Sequence, residues 1–233
     1  MVKKLQLVGA FLALVGAAFL AAGIFAYSQV AAGANSLQKF SEAQNVMLTY
    51  NEDGVLVDRG TVEGAQGILD LLENDWGYNV NYAELDPNDP LVNTGTEYMY
   101  QMALVGYHTL NGTTTVVLDE DVEYNGEVFE AGTYEVETDG RYWADFDRMH
   151  PLDGPARSQA WNPTAHGLFG ELGVGSVTAS TLQLGTGIAA FIGGLGLVFI
   201  ALGAVTVWFA SDIKKAALKG APAAETIDEP VNA

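Results

Sequence analysis

The stretch GIAAFIGGLGLVFIALGAVTVWF, residues 187–209, contains no charged side chain. It lies inside a longer uncharged run, residues 172–211, and a second such run covers residues 5–38, most apolar over 7–30. Each exceeds the roughly 20 apolar residues that a helix needs to cross a bilayer. Helices in water-soluble cores average only about 10–14 residues. The chain therefore reads as two membrane helices, 5–34 and 185–210, with residues 35–184 between them. That interval is long enough for one medium-sized domain.

Basic residues set the orientation. Lys3 and Lys4 flank the first run; Lys214, Lys215 and Lys219 flank the second. Lys and Arg are retained on the cytoplasmic side. Residues 1–4 and the tail 211–233 are thus expected in the cytoplasm, with the central domain outside an integral plasma-membrane protein. The first run also admits a second reading, a cleaved signal peptide. Lys3 and Lys4 would then be its basic start and Ala32-Gly33-Ala34 its small-residue cleavage site, although a signal core usually spans only about 7–15 residues. Either way the second helix tethers the central domain outside.

The central domain carries Lys39, Arg59, Arg141, Arg148 and Arg157 against 25 of the 29 acids, a net charge of −20. Such a surface repels nucleic-acid phosphates and anionic headgroups. It suits cations or basic partners, or serves as a solvated surface without a dedicated ligand. The chain has no cysteine, which excludes disulfides, thiol catalysis and Cys-ligated metal.

Small residues recur in both runs: Gly9, Ala13 and Ala17, then Gly16 and Gly23; Gly185, Ala189 and Gly193, beside Gly194, Gly196 and Gly203. At four-residue spacing they let helix backbones approach. Two readings stand: packing between the spans or against another membrane protein or a second copy, and the ordinary abundance of Gly and Ala in membrane helices. Neither span has an ionisable residue, which argues against a proton relay, ion path or charge sensor within the bilayer.

The central domain reads as α+β. Two apolar segments around Asn51-Glu52-Asp53-Gly54 form a hairpin. Thr61 caps a helix over 62–74 that Trp76-Gly77-Tyr78 ends, and Thr94 or Thr96 caps a second helix over 97–110. Asn111-Gly112 stops that helix, and with Thr113 it also makes a glycosylation sequon. Segments 114–118, 122–124, 127–129 and 132–137, with Asn125-Gly126 as a hairpin turn, predict a small antiparallel sheet of about three strands. Pro155 opens a helix that Pro163 interrupts. A further helix from Thr164 runs into the second span.

Two ten-residue strings stand out. Tyr82-Ala83-Glu84-Leu85-Asp86-Pro87-Asn88-Asp89-Pro90-Leu91 aligns without a gap to Trp143-Ala144-Asp145-Phe146-Asp147-Arg148-Met149-His150-Pro151-Leu152, 61 residues later. The pairing divides the domain into two diverged halves, 46–110 and 114–184, each expected to run hairpin, motif, helix. The positional reading makes each copy a joint. Tyr82 with Leu85, and Trp143 with Phe146, plug an apolar pocket, and Asp86 suits a helix cap followed by Pro87 in the first turn. Tyr142 and Trp143 also suit the headgroup level. The chemical reading gathers Glu84, Asp86, Asp89, Asp145, Asp147 and His150 around a hard cation such as calcium, which takes six to eight oxygens. Asp121, Glu123, Asn125 and Gly126 begin like a calcium loop, but its twelfth position is Gly132 rather than Glu, so a hairpin explains the segment. His108, His150 and His166 share no metal-ligand spacing, and no Gly-x-Ser-x-Gly elbow is present.

The first string, in a chain with two spans and an outside loop, resembles a family of uncharacterised two-span membrane proteins from actinobacteria. Some members carry the product name aromatic ring-opening dioxygenase. In that family the motif stands once, shortly before the second span; here the second copy takes that place and the loop is longer. The product name implies a metal site that these residues do not display, so no functional residue is carried over. The sequence thus leads to a non-catalytic two-span membrane protein without cofactor, an interaction or accessory subunit of an envelope complex. The alternative is an extracytoplasmic sensor of a ligand or divalent cation.

Overall fold

The apolar runs form two long helices, α1 (Val2–Gln44) and α5 (Pro163–Lys219), in the computed structural model of the chain. It describes residues 2–219, with side chains through residue 216. Met1 and residues 220–233 of the expected cytoplasmic segments lie outside the described residues. The fold is α+β, with five α-helices and two small antiparallel ladders among the described residues. The described chain divides into two compact units: residues 2–32 with 183–219, and residues 33–182.

The first unit is an antiparallel helix pair whose backbones touch. A methyl group built on Gly9 would lie 2.7 Å from the Gly203 carbonyl oxygen, one on Gly16 2.6 Å from that of Gly196, and one on Gly23 2.7 Å from Gly193 Cα. From the other side, a methyl on Gly196 would lie 2.5 Å from the Leu20 nitrogen and one on Gly203 2.5 Å from the Gly9 oxygen. Only residues without a Cβ permit this approach. The buried positions are Gly9, Gly16 and Gly23, facing Ala189, Gly196, Gly203 and Ala210. The interval is seven residues, not the expected four, and Ala17 is exposed. A strict seven-residue repeat keeps one seam between two helices that wind about each other. Gly187 and Gly194 have open space where a methyl would go.

The large side chains point away from this seam. Leu7, Phe11, Leu14 and Phe25 on α1, and Phe191, Leu202, Trp208 and Phe209 on α5, are all exposed. Only 17% of the most apolar window of each helix is buried within the protein.

The second unit is organised around α3 (Gly95–Leu110). The Thr94 hydroxyl accepts from the Glu97 amide, while Glu97 Oε2 accepts from the Thr94 and Asn93 amides at 2.9 and 3.0 Å. This reciprocal cap satisfies donors that the first helical turn leaves free. Tyr98, Tyr100 and Ala103 of α3 enter a core with Leu48, Ile68, Leu72, Val92 and Leu172. Leu110, at its far end, enters a second core with Leu71, Val116, Phe146, Ala156 and Trp161. Helix α2 (Val62–Asp70) starts at the Thr61 cap and loosens into a π-turn, Leu71–Asp75, that closes through Trp76 N–H to the Leu71 carbonyl.

The hairpin at 49–57 is closed by Val57 N–H to the Thr49 carbonyl and Asn51 N–H to the Val55 carbonyl, both 2.9 Å. Residues 46–48 pair instead with the end of the first motif, through Leu48 N–H to the Pro90 carbonyl and Val92 N–H to the Val46 carbonyl. Downstream, β1 (Thr113–Leu118) pairs with β4 (Gly132–Glu137), and β2 (Val122–Tyr124) with β3 (Glu127–Phe129). These are two nested two-stranded ladders rather than one sheet. Asp121 diverts the chain between them by accepting from Ala131 N–H at 2.8 Å. The β1 edge is also taken, because Gln159 donates to the Thr115 carbonyl. Asn125 and Gly126 have φ of 53° and 85°, the left-handed pair that a tight hairpin turn requires. Gln159 belongs to α4 (Asp153–Ala160), which carries Pro155 in its first turn.

The helix seam makes a sharp prediction. Gly196→Leu should lower the unfolding free energy in mild detergent by about 1–3 kcal/mol, the usual cost of overpacking. Gly194→Leu, two residues away with open space around it, should leave it nearly unchanged.

Candidate functional site

The two motif copies are turns with matching hydrogen bonds. In the first, Glu84 N–H donates to the Asn81 carbonyl (2.9 Å), Asn88 N–H to Asp86 Oδ1 (2.8 Å) and Asp89 N–H to the Asp86 carbonyl (3.0 Å). In the second, at the same offsets, Asp145 N–H donates to the Tyr142 carbonyl (2.9 Å), Met149 N–H to Asp147 Oδ1 (2.9 Å) and His150 N–H to the Asp147 carbonyl (3.3 Å). The middle aspartate folds the turn by holding the amide two residues on, as Asx turns do. It does not cap a helix, which corrects the expectation for Asp86. The likeness covers the motif. Upstream, the first copy follows α2 and its π-turn, whereas the second follows β4.

Each turn sends one apolar side chain in and one aromatic out. Phe146 is 4% exposed and Leu85 packs against the α3 core, while Tyr82 is 56% and Trp143 41% exposed. The expected pair of plugs is therefore a single plug per copy. The Tyr82 hydroxyl donates to Glu73, and Trp143 lies across the Arg157 guanidinium, 3.3 Å from ring centroid to Cζ, with its edge on His166. Tyr142, expected at headgroups, accepts from Trp76 Nε1 at 2.8 Å and stacks on Trp161.

The six candidate ligands are not brought together; among the described residues no three His, Asp or Glu side chains gather around a common point. Local donors engage five of them instead. Glu84 accepts from Thr96 N–H and Asn81 Nδ2, both 2.9 Å. Burial pushes its carboxyl up, but the bonds from Thr96 and Asn81 outweigh this and hold it below the usual range. Asp145 accepts from Tyr142 N–H (2.8 Å) and Asp147 from the Tyr124 hydroxyl (2.6 Å). The Tyr124 and Met149 donors hold Asp147 low, and Asn88 does the same for Asp86. His150 Nδ1 accepts from the Leu152 and Asp153 amides at the start of α4. Asp89 stands close enough to Glu97 to raise it, behind the larger effect of burial.

The structure assembles a polar group that no motif announced. His108 Nε2 on α3 lies 2.9 Å from Asp58 Oδ2, off the line of a hydrogen bond, and Asp58 is 8% exposed. The buried hydroxyls of Tyr50 and Tyr100 have no hydrogen-bond partner among the described residues. Burial, then the charges of Glu97 and Asp86, pushes Tyr50 up to about 12. Tyr100 is raised by burial first, then by Asp58 and Tyr50. An open cleft of about 410 Å³ adjoins His108, lined also by Thr109, Gln159 and Leu168. The Thr109 hydroxyl donates to the Val105 carbonyl, so it is not turned to His108 as a nucleophile would be. Fifty residues separate Asp58 from His108, and no local pattern links them.

No family model, no curated protein and no solved structure matches the chain.

Glu97 and Glu84 should have opposite signatures in a pH series of urea unfolding. Burial raises Glu97 despite the Asn93 and Thr94 amides, so its contribution is complete below the unfolded carboxylate value and lost as pH rises through the folded one. Glu97→Gln should therefore gain stability relative to the parent chain as pH rises through that window. Glu84 is lowered, so its contribution is present above the unfolded value and lost as pH falls through the folded one. Glu84→Gln should lose stability relative to the parent as pH rises through its own window.

Proposed function

We propose that the chain is a non-catalytic two-span protein of the plasma membrane, with both termini cytoplasmic. In this reading it is an accessory subunit whose acidic domain, 33–182, docks a partner outside. The membrane reading is supported by the outward apolar faces of α1 and α5, which water would not tolerate over such lengths, and by the lysines at both ends.

The docking reading rests on one observation. Two turns with the same hydrogen bonds each hold an aromatic side chain outward, Tyr82 and Trp143, on a base fixed by Leu85 or Phe146. Met149 and Arg148 of the same turn are exposed as well. Trp, Tyr, Met and Arg are the residue types enriched where proteins bind. A rigid turn that presents an aromatic ring carries little ordering cost on binding. The cation-sensor alternative has less support, because Glu84, Asp86, Asp145 and Asp147 already accept hydrogen bonds from nearby donors and the six candidates are not gathered around a common point.

Crosslinking in native membranes, followed by co-purification in mild detergent, tests this. The parent chain should bring down a partner membrane protein. Tyr82→Ala with Trp143→Ala should release it, each truncation costing about 2 kcal/mol, or about 30-fold in affinity, while Tyr134→Ala retains it. Recovery of the chain alone, or unchanged capture by the double variant, contradicts the docking reading.

A further inference from the structure

Two arginines of the second unit contrast sharply. Arg141 uses every guanidinium nitrogen. Nε donates to the Thr138 carbonyl, Nη2 to the Glu137 carbonyl and Nη1 to both Asp153 oxygens at 3.0 and 3.1 Å. Arg157 is more withdrawn from solvent, at 9% exposure, yet its Nε is buried without an acceptor, and no carboxylate pairs with it among the described residues. This happens in a domain where acids outnumber bases five to one. Its cover is the indole of Trp143 at 3.3 Å, itself 41% exposed.

The ordinary explanation is that the Trp143 ring face and the C-terminal end of α4 satisfy the charge. Both favour a cation there, but neither accepts the Nε–H. Nor do they explain why Arg148, from the same turn as Trp143, stands close enough to disfavour the Arg157 charge, second to burial. A buried guanidinium whose Nε–H has no acceptor among the described residues, with a second arginine in the turn that covers it, offers the donors that an oxyanion takes. Arg presents its donors as a planar fork matched to carboxylate and phosphate.

We propose that Arg157, with Arg148 beside it, is an acceptor for an oxyanion, a carboxylate or phosphate group, and that Trp143 is the lid over it. Rotation of one half-exposed indole opens the guanidinium, and His166 stands perpendicular to that indole with ring centroids 5.0 Å apart. The domain's net charge repels free anions, so the site favours a group delivered by a larger ligand that makes other contacts. The proposal deepens the docking reading by naming the chemistry that the second turn receives. Its test needs no partner, so the two can fail separately.

The full chain in detergent, labelled at the indole nitrogens of its four tryptophans, is titrated with sodium acetate, inorganic phosphate and sodium chloride at constant ionic strength. The Trp143 indole resonance, assigned with Trp143→Phe, should shift saturably with an oxyanion and not with chloride. Half-saturation in the millimolar range is expected for an isolated probe. A response to acetate shows that the site takes carboxylates, with or without phosphate; a response to phosphate alone identifies a phosphate group. Arg157→Gln should abolish the shift. Arg148→Gln, at an exposed position, should weaken binding several-fold and serves if the first variant does not fold. Absence of a saturable shift with either oxyanion, or an unchanged shift in Arg148→Gln and Arg157→Gln, overturns the proposal.

Discussion

The structure depends on a constraint of solvation. Two long helices, uncharged over 5–38 and 172–211, turn Leu, Phe and Trp side chains outward and set Gly9, Gly16 and Gly23 against Gly193, Gly196 and Gly203. Apolar faces of that length have no stable home in water. Hydrophobic burial within the pair is not what holds it, since few of its large side chains are covered. Van der Waals contact between backbones is, and that contact exists only where a Cβ is missing. The same choice of small residues inside and large ones outside makes the pair narrow within and greasy without.

The acidic unit works by different rules. Its stability is concentrated on α3, which joins two apolar cores and is held at its start by the Thr94–Glu97 cap. The acids are not an undivided field. Some serve the backbone, Glu84 and Glu97 at helix starts and Asp86 and Asp147 in turns. Others remain solvated. This division ties Glu84, Asp86, Asp145 and Asp147 to backbone and side-chain donors, while the aromatics Tyr82 and Trp143 stand exposed on the paired turns.

Features set by neighbouring residues were legible in the sequence. The apolar runs, the Thr61 cap, the alternatives for α3 and the Asn125-Gly126 turn all depend on contacts within a few positions. Features set by distant partners were not. A three-residue spacing says that Trp143 and Phe146 lie near each other, but not which enters the core; Phe146 does because Leu71, Val116 and Trp161 are there to receive it. The glycine seam was hidden because small residues four apart are as frequent in both runs as those seven apart, and only the facing helix selects between them. Asp58 with His108, and Arg157 with Trp143, came from elements whose meeting no periodicity records. The split into two ladders rather than one sheet accompanies the turn at Asp121, whose carboxylate accepts from Ala131 ten residues on, a partner that no local pattern announces.

Accessibility of single cysteines addresses the central claim most directly, because the chain has none of its own. Glu120, exposed in the second unit, and Lys3 are each replaced by cysteine, and intact cells are treated with a membrane-impermeant maleimide before and after lysis. The account predicts that Glu120→Cys is labelled on intact cells and Lys3→Cys only after lysis, with both variants in the membrane fraction. Protection of Glu120→Cys until lysis, or recovery of the chain from the soluble fraction, would contradict it.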